Sequence, residues 1–406
     1  MTDKNLEEKK KKHIRSLELD VYKQLTYSFF LLTFIAKALT DGIFITLGQK
    51  GLITNSKYMA MGGVIFFGLG YMIKNRRFDN FWNEFKQLFA LFAAIAFFTC
   101  VLIIYRRNYA AWQIRDLLNL FTPMIFAYVV LNTLDSGDIV KGMRIALYFS
   151  ICGYVIQLIL KGTTIQEIIS ASDYSKSLSP LESNDFAALS IMLCFFFCYI
   201  RDNKIDTIAS FLFAIATFKR LAMIFALLAF VLPKIINTRK AIPRGYRFLL
   251  VIVLTLITII YLYLLLPFSP DVQIFGYNLK YLSMGRAHFL TELFINNYKS
   301  FGYGSVEATL GHSLEMYLIR LCLELSPIAV IVFITCMMNI AWTNIYCVIL
   351  IIFQLINLIT ADSISAIFAW EVMYILLGLV HGTCKNDTGI NYAIIEMNSR
   401  RKNLPS

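Results

Sequence analysis

The chain has 406 residues, 58% of them hydrophobic, 15% aromatic and 16% charged, with a formal net charge of +12. Soluble domains are about 45–50% apolar and about 25% charged, so a water-soluble enzyme is excluded, and the wealth of aromatics excludes a disordered chain. In a soluble protein such basicity would suggest nucleic acid, but here it is first a topology signal and no nucleic-acid partner is expected.

What remains is an all-α, polytopic membrane protein. Residues 1–23 form a charged N-terminal segment, and the apolar run after Lys9–Arg15 is too long for a cleaved signal, so it reads as a retained first span. A membrane helix needs about 20 predominantly apolar residues. By that measure spans fall near Gln24–Thr46, Lys57–Ile73, Gln87–Tyr105, Leu117–Leu134, Met143–Leu160, Asp185–Ile200, Ile205–Phe218, Leu221–Ile236 and Arg247–Leu266. Residues 24–267 thus hold the first nine. A long outer loop fills 268–313, and 314–382 hold three further spans near Met316–Met338, Asn344–Thr360 and Ala366–Val380. Residues 383–406 are a polar tail. The expected total is about twelve spans.

Lysine and arginine set the orientation. With the N-terminus inside, basic residues on that side outnumber those outside roughly two to one, which makes both termini cytoplasmic. The long outer loop carries Leu282, Phe289, Leu290, Leu293 and Phe294 at helical spacing, the pattern of one amphipathic helix over Tyr281–Phe294 resting on the outer interface. Seven of the eight cysteines lie in or beside apolar runs and read as small hydrophobes. Cys194 and Cys198 share a helix face without a further ligand nearby in sequence, so neither a metal nor another cofactor is expected. Lys37 and Asp41, at i and i+4 within the first span, read as a mutual pair facing other helices.

Polar chemistry gathers on the outer side. Lys219 and Arg220 occupy a connection so short that both must sit at the membrane edge; Arg286 follows Gly285 in the long loop; His312 stands where the chain re-enters the bilayer. Glu315, three residues on, would share a helix face with His312 and has His312 and Arg320 as candidate partners. A guanidinium grips phosphate through a fixed, permanently charged fork, and histidine accepts a proton near neutral pH without strong tuning. Two arginines and a base would serve glycosyl transfer from a polyprenyl pyrophosphate, because negative charge grows on the departing diphosphate in the transition state.

The order of these features resembles the O-antigen polymerase and O-antigen ligase superfamily. Gly285-Arg286, the Gly302-Tyr303-Gly304 turn and His312 before an apolar run are similar to its second characteristic block, in which the histidine opens a helix. Ser183–Ala188, which contains Asn184, is similar to the upstream block, and Lys219-Arg220 resembles its outer-turn arginine. Two positions depart from the pattern: Ser313 stands where the family often has Asn, and Glu324 is followed by Leu325, Ser326 and Pro327 rather than an early glycine.

The resemblance implies a metal-independent membrane glycosyltransferase acting on undecaprenyl-pyrophosphate-linked oligosaccharide, in surface-polysaccharide or lipopolysaccharide biosynthesis, at the outer face of a bacterial inner membrane. Arg220, Lys219 and Arg286 would hold the pyrophosphate, His312 and Arg286 would be catalytic, and Asn184 and Glu315 would line the acceptor cleft. Membrane lipids and a chain-length regulator are the implied partners. The Lys-Arg pair favours polymerase over ligase. A lipid-linked oligosaccharide flippase is the alternative of another class, but transporters tend to show paired repeats, and this chain has none.

Overall fold

A computed structural model of the protein describes residues 2–49, 51–164, 186–236, 240–274, 277–283, 285–361 and 364–385. The helices, in order, are α1 (Thr2–Leu39), α2 (Leu52–Asn75), α3 (Trp82–Arg106), α4 (Ala111–Thr133), α5 (Ser136–Leu160), α6 (Ala187–Ile200), α7 (Lys204–Ala216), α8 (Arg220–Ile235) and α9 (Arg244–Leu265). After them come α10 (Leu279–Leu282), α11 (Arg286–Ile295), α12 (Ser305–Leu310), α13 (Tyr317–Glu324), α14 (Pro327–Asn339), α15 (Ile345–Thr360) and α16 (Ile367–Lys385). The extended pairing among the described residues is one two-residue antiparallel match, Gln273–Ile274 with Tyr277–Asn278. The chain is therefore all-α.

Among the described residues, five helices are long and apolar enough to cross a membrane: Leu19–Phe44, α3, α4, α5 and α9. Shorter apolar helices are Ala187–Ile200, Pro327–Asn339, Ile345–Thr360 and Ile367–Gly382. Large apolar side chains such as Phe97, Phe98 and Ile104 on α3 and Phe248 and Ile260 on α9 are more than half exposed. So much apolar surface is compatible with lipid rather than water as the surrounding solvent.

Two compact units emerge. The first comprises 1–82, 125–234 and 371–406; the second comprises 83–124 and 235–370. In the first unit α1 packs on α2 and α5. Thr26 and Thr33 return their hydroxyls to the carbonyls of Tyr22 and Phe29, both at 2.8 Å, which satisfies them without a polar neighbour. Past Leu39 the helix widens into a π-turn, Thr40–Phe44. There Gly42 meets Gly153 of α5 so closely that an added Cβ would lie 2.7 Å from the Gly153 carbonyl oxygen. Small residues allow such backbone contact between membrane helices.

In the second unit a small apolar core formed by Leu265, Leu290, Leu293, Val306, Leu310, Leu314, Met316 and Ile319 joins the end of α9 to α11, α12 and α13. Three expectations fail in this region. The continuous span Met316–Met338 is instead two helices, because Pro327 cannot continue α13 and Ser326 caps α14 by accepting from the Ala329 amide at 3.3 Å. The single helix over Tyr281–Phe294 is broken at Gly285, whose φ of 88° lies in the left-handed region, so that α11 begins only at Arg286. His312 and Glu315 lie in the irregular stretch between α12 and α13, so His312 opens no helix and the two share no helix face.

Candidate functional site

The site in the second unit is organised by a glycine turn. Gly302 and Gly304 both adopt positive φ, 113° and 87°. Added Cβ atoms would come within 2.8 Å of Thr99 on α3 and 2.9 Å of the Gln113 Cα on α4. The turn is also stitched by hydrogen bonds: the Tyr303 amide donates to Thr99 Oγ1 at 3.2 Å, and Gln113 Nε2 donates to the Phe301 carbonyl at 2.9 Å. Only glycine can combine this conformation with this approach, and the result fixes where α12 starts.

Glu307, on α12, has no solvent-accessible surface. Arg320 Nη1 and Ser313 Oγ (2.8 Å) donate to its Oε1, and Arg115 Nη2 donates to its Oε2 at 2.5 Å. Arg115 also holds Asp116 Oδ1 at 3.0 Å, and its guanidinium lies 3.8 Å from the Trp112 ring centroid. Arg320 Nη1 is 3.5 Å from Asp116 Oδ2, and its Nε is 3.9 Å from Glu324 Oε2. The Arg320 guanidinium lies over the Tyr303 and Tyr317 rings, whose hydroxyls are 3.0 Å apart. Glu324 Oε1 accepts from the Val306 amide at 2.9 Å, while its Oε2 has no hydrogen-bond donor.

Arg286, His312 and Glu315 come together beside this network. Arg286 Nε donates to the Glu315 carbonyl at 3.1 Å, Nη2 to Glu315 Oε2 at 3.2 Å, and Nη1 to the Ser283 carbonyl at 3.2 Å. Glu315 therefore pairs with Arg286, not with His312 or Arg320; its side chain is 62% exposed against 17% for Arg286. Phe289, nearly one turn after Arg286 on α11, packs against the His312 ring, the centroids 4.5 Å apart and the planes tilted by 55°. His312 Nδ1 is 3.2 Å from the Ser313 carbonyl. A carbonyl can only accept, so Nδ1 carries the hydrogen and the neutral ring keeps its lone pair at Nε2. Ser313, in turn, is tied to Glu307, which links the histidine loop to the buried network.

Lys219 and Arg220 lie at the start of α8 in the first unit, both half-buried. Asn184 lies outside the described residues. Sequence reasoning missed Arg115, Asp116, Glu307 and Arg320 as a set. Arg320 and Glu324 at i and i+4 inside an apolar run were the available signal, since buried charges need partners. The remaining partners Arg115 and Asp116 lie about 200 residues away along the chain.

A second buried cluster occupies the first unit. Asp41 receives Lys37 on Oδ2 and Lys57 on Oδ1, so the expected Lys37–Asp41 pair is formed and a second lysine joins it. Gln157 Nε2 donates to the Asp41 carbonyl at 3.3 Å, within the π-turn. Among the described residues, no group of three or more His, Cys, Asp or Glu side chains is arranged to hold a metal ion.

No protein-family model matches the chain, and neither does any curated protein or solved structure. Fold and site define an all-α protein with helices suited to crossing a membrane and, in one unit, three arginines, a histidine and four carboxyl groups gathered around a glycine-anchored loop.

Proposed function

We propose that the chain is an integral-membrane glycosyltransferase that polymerises undecaprenyl-pyrophosphate-linked oligosaccharide repeat units into O-antigen or a related surface polysaccharide. In this reading about twelve helical segments lie in the bacterial inner membrane, with both termini cytoplasmic and the loop bearing Arg286 and His312 periplasmic. One observation carries the reading: α11 holds Arg286 while its Phe289 packs on His312, so a single helix contacts the imidazole and carries the permanent cation.

The chemistry then follows from the side chains. Arg286 receives the donor diphosphate, which displaces the exposed Glu315 carboxylate. His312 Nε2 takes the proton of the acceptor hydroxyl as that oxygen attacks the anomeric carbon. The diphosphate leaves from the opposite side, and the guanidinium stabilises the charge that grows on it. Glu315, released from Arg286, faces the acceptor. The buried Glu307–Arg320 network holds the histidine loop in place through Ser313.

The test is the polysaccharide ladder of a deletion strain complemented with Arg286→Ala or His312→Ala, with membrane abundance matched by immunoblot. Each variant should lose long chains and keep single-repeat glycan on the lipid A core. Long chains persisting in both would refute the reading.

A further inference from the structure

A separate cavity of about 430 Å³ opens at the end of α9, within the range of small-ligand pockets. Leu266, Leu290, Leu293, Phe294 and Leu323 make its apolar wall. Its polar side is formed by the 297–300 stretch, where Tyr298 is committed to Ser305 and Ser300 to the Glu324 carbonyl. Lys299 is exposed there, and among the described residues no carboxylate pairs with it. The place in the chain matters as much as the shape. α9 is one of the helices able to cross a membrane, and the cavity begins at the residue after it. Beside it Phe268 (65% exposed) and Phe294 (51%) meet edge to face at 5.6 Å, and Ile295 is 73% exposed. Such an apolar rim at a span end belongs in the boundary between acyl chains and head groups.

We infer that this cavity binds an anionic glycerophospholipid of the surrounding bilayer, one acyl chain lying against the leucine wall and the phosphate meeting Lys299. The charge decides between lipids. A zwitterionic head group brings its own cation to a lysine that has no acidic partner, whereas an anionic one leaves its phosphate charge free for it. This site is distinct from Arg286 and His312 and does not depend on the proposed transferase activity.

The experiment is native mass spectrometry of the purified full-length protein in detergent, titrated with phosphatidylglycerol or with phosphatidylcholine of the same acyl chains. One phosphatidylglycerol should be retained at least fivefold more tightly than phosphatidylcholine. Lys299→Ala should weaken phosphatidylglycerol about fivefold, as expected for one lysine at an anionic head group, and erase the preference. Leu323→Trp, which fills a half-buried position in the wall, should weaken both lipids. Lys299→Ala is the deciding variant, because it is a surface change that leaves the fold intact. Equal retention of the two lipids, indifference to Lys299→Ala, competition by inorganic phosphate at equal concentration, or retention of undecaprenyl phosphate in place of phosphatidylglycerol would each overturn the assignment.

Discussion

Around Asp41, two lysines share one carboxylate; around Arg320, three carboxylates share two guanidinium groups. In the first cluster the fully buried Glu371 also lies within electrostatic reach of Lys37, and among the described residues neither of its oxygens has a hydrogen bond. The chemistry of the two clusters differs. Lysine is a point charge that can give up a proton when its partner is lost, whereas arginine stays charged and binds several oxygens at fixed angles. The lysine cluster can therefore relax after damage in a way that the arginine cluster cannot.

The largest expected effect comes from Arg320→Met. It leaves Glu324 without its guanidinium and Glu307 and Asp116 with Arg115 alone in a buried interior, and breaking a buried pair in this way costs about 3–5 kcal/mol. Denaturant unfolding of the purified variant measures the loss. Because the stranded carboxylates can be neutralised by taking up protons, the deficit should shrink as pH falls. A variant within about 1 kcal/mol of wild type would show that the network adds little to stability.

Asp41→Asn should cost less, about 3 kcal/mol, at the lower end of the same range, since each lysine is a point charge that can turn to another oxygen. Denaturant unfolding compares the two variants, and equal losses would erase the distinction between the clusters.

The lysine cluster also shows what the sequence can reveal. Lys37 and Asp41 are four residues apart, so helical periodicity alone pairs them; Lys57 joins from the neighbouring helix and could not be read in that way. Helical segments were legible because apolar runs mark them, and the second expected span, Lys57–Ile73, falls within α2. Breaks inside apolar runs were harder to read. Ser326-Pro327 divides a stretch whose composition alone suggests one span, and the left-handed Gly285 divides the loop helix. Arg286, His312 and Glu315 were singled out by residue type. Their contacts were not, because the Arg286–Glu315 pair closes over 29 residues and Arg115–Glu307 over 192, and no local spacing encodes such distances.

The smallest effect is expected at the surface, where Asp271 meets Lys280 at 3.2 Å beside the short antiparallel pair. The Lys280 hydrogen bond, helped by Asn278, holds the Asp271 carboxyl below its ordinary value. Its contribution is therefore present above the usual carboxylate range and disappears as pH falls through the lowered value. Hydrogen exchange of the 269–280 amides should show that acid dependence in wild type and lose it in Asp271→Asn, with overall stability unchanged.

The glycine turn has a consequence for biogenesis. Thr99 and Gln113 leave the ribosome about 190–200 residues before the Phe301 carbonyl and the Tyr303 amide that they bind. Until then, Thr99 has only its bond to the Ile95 carbonyl and Gln113 only the one it accepts from the Ala110 amide, so the Gln113 Nε2 donor needs water or a temporary neighbour. Docking of the turn is consequently a late event in assembly, and a nascent chain halted before residue 300 has its early helices without the clasp that later joins them.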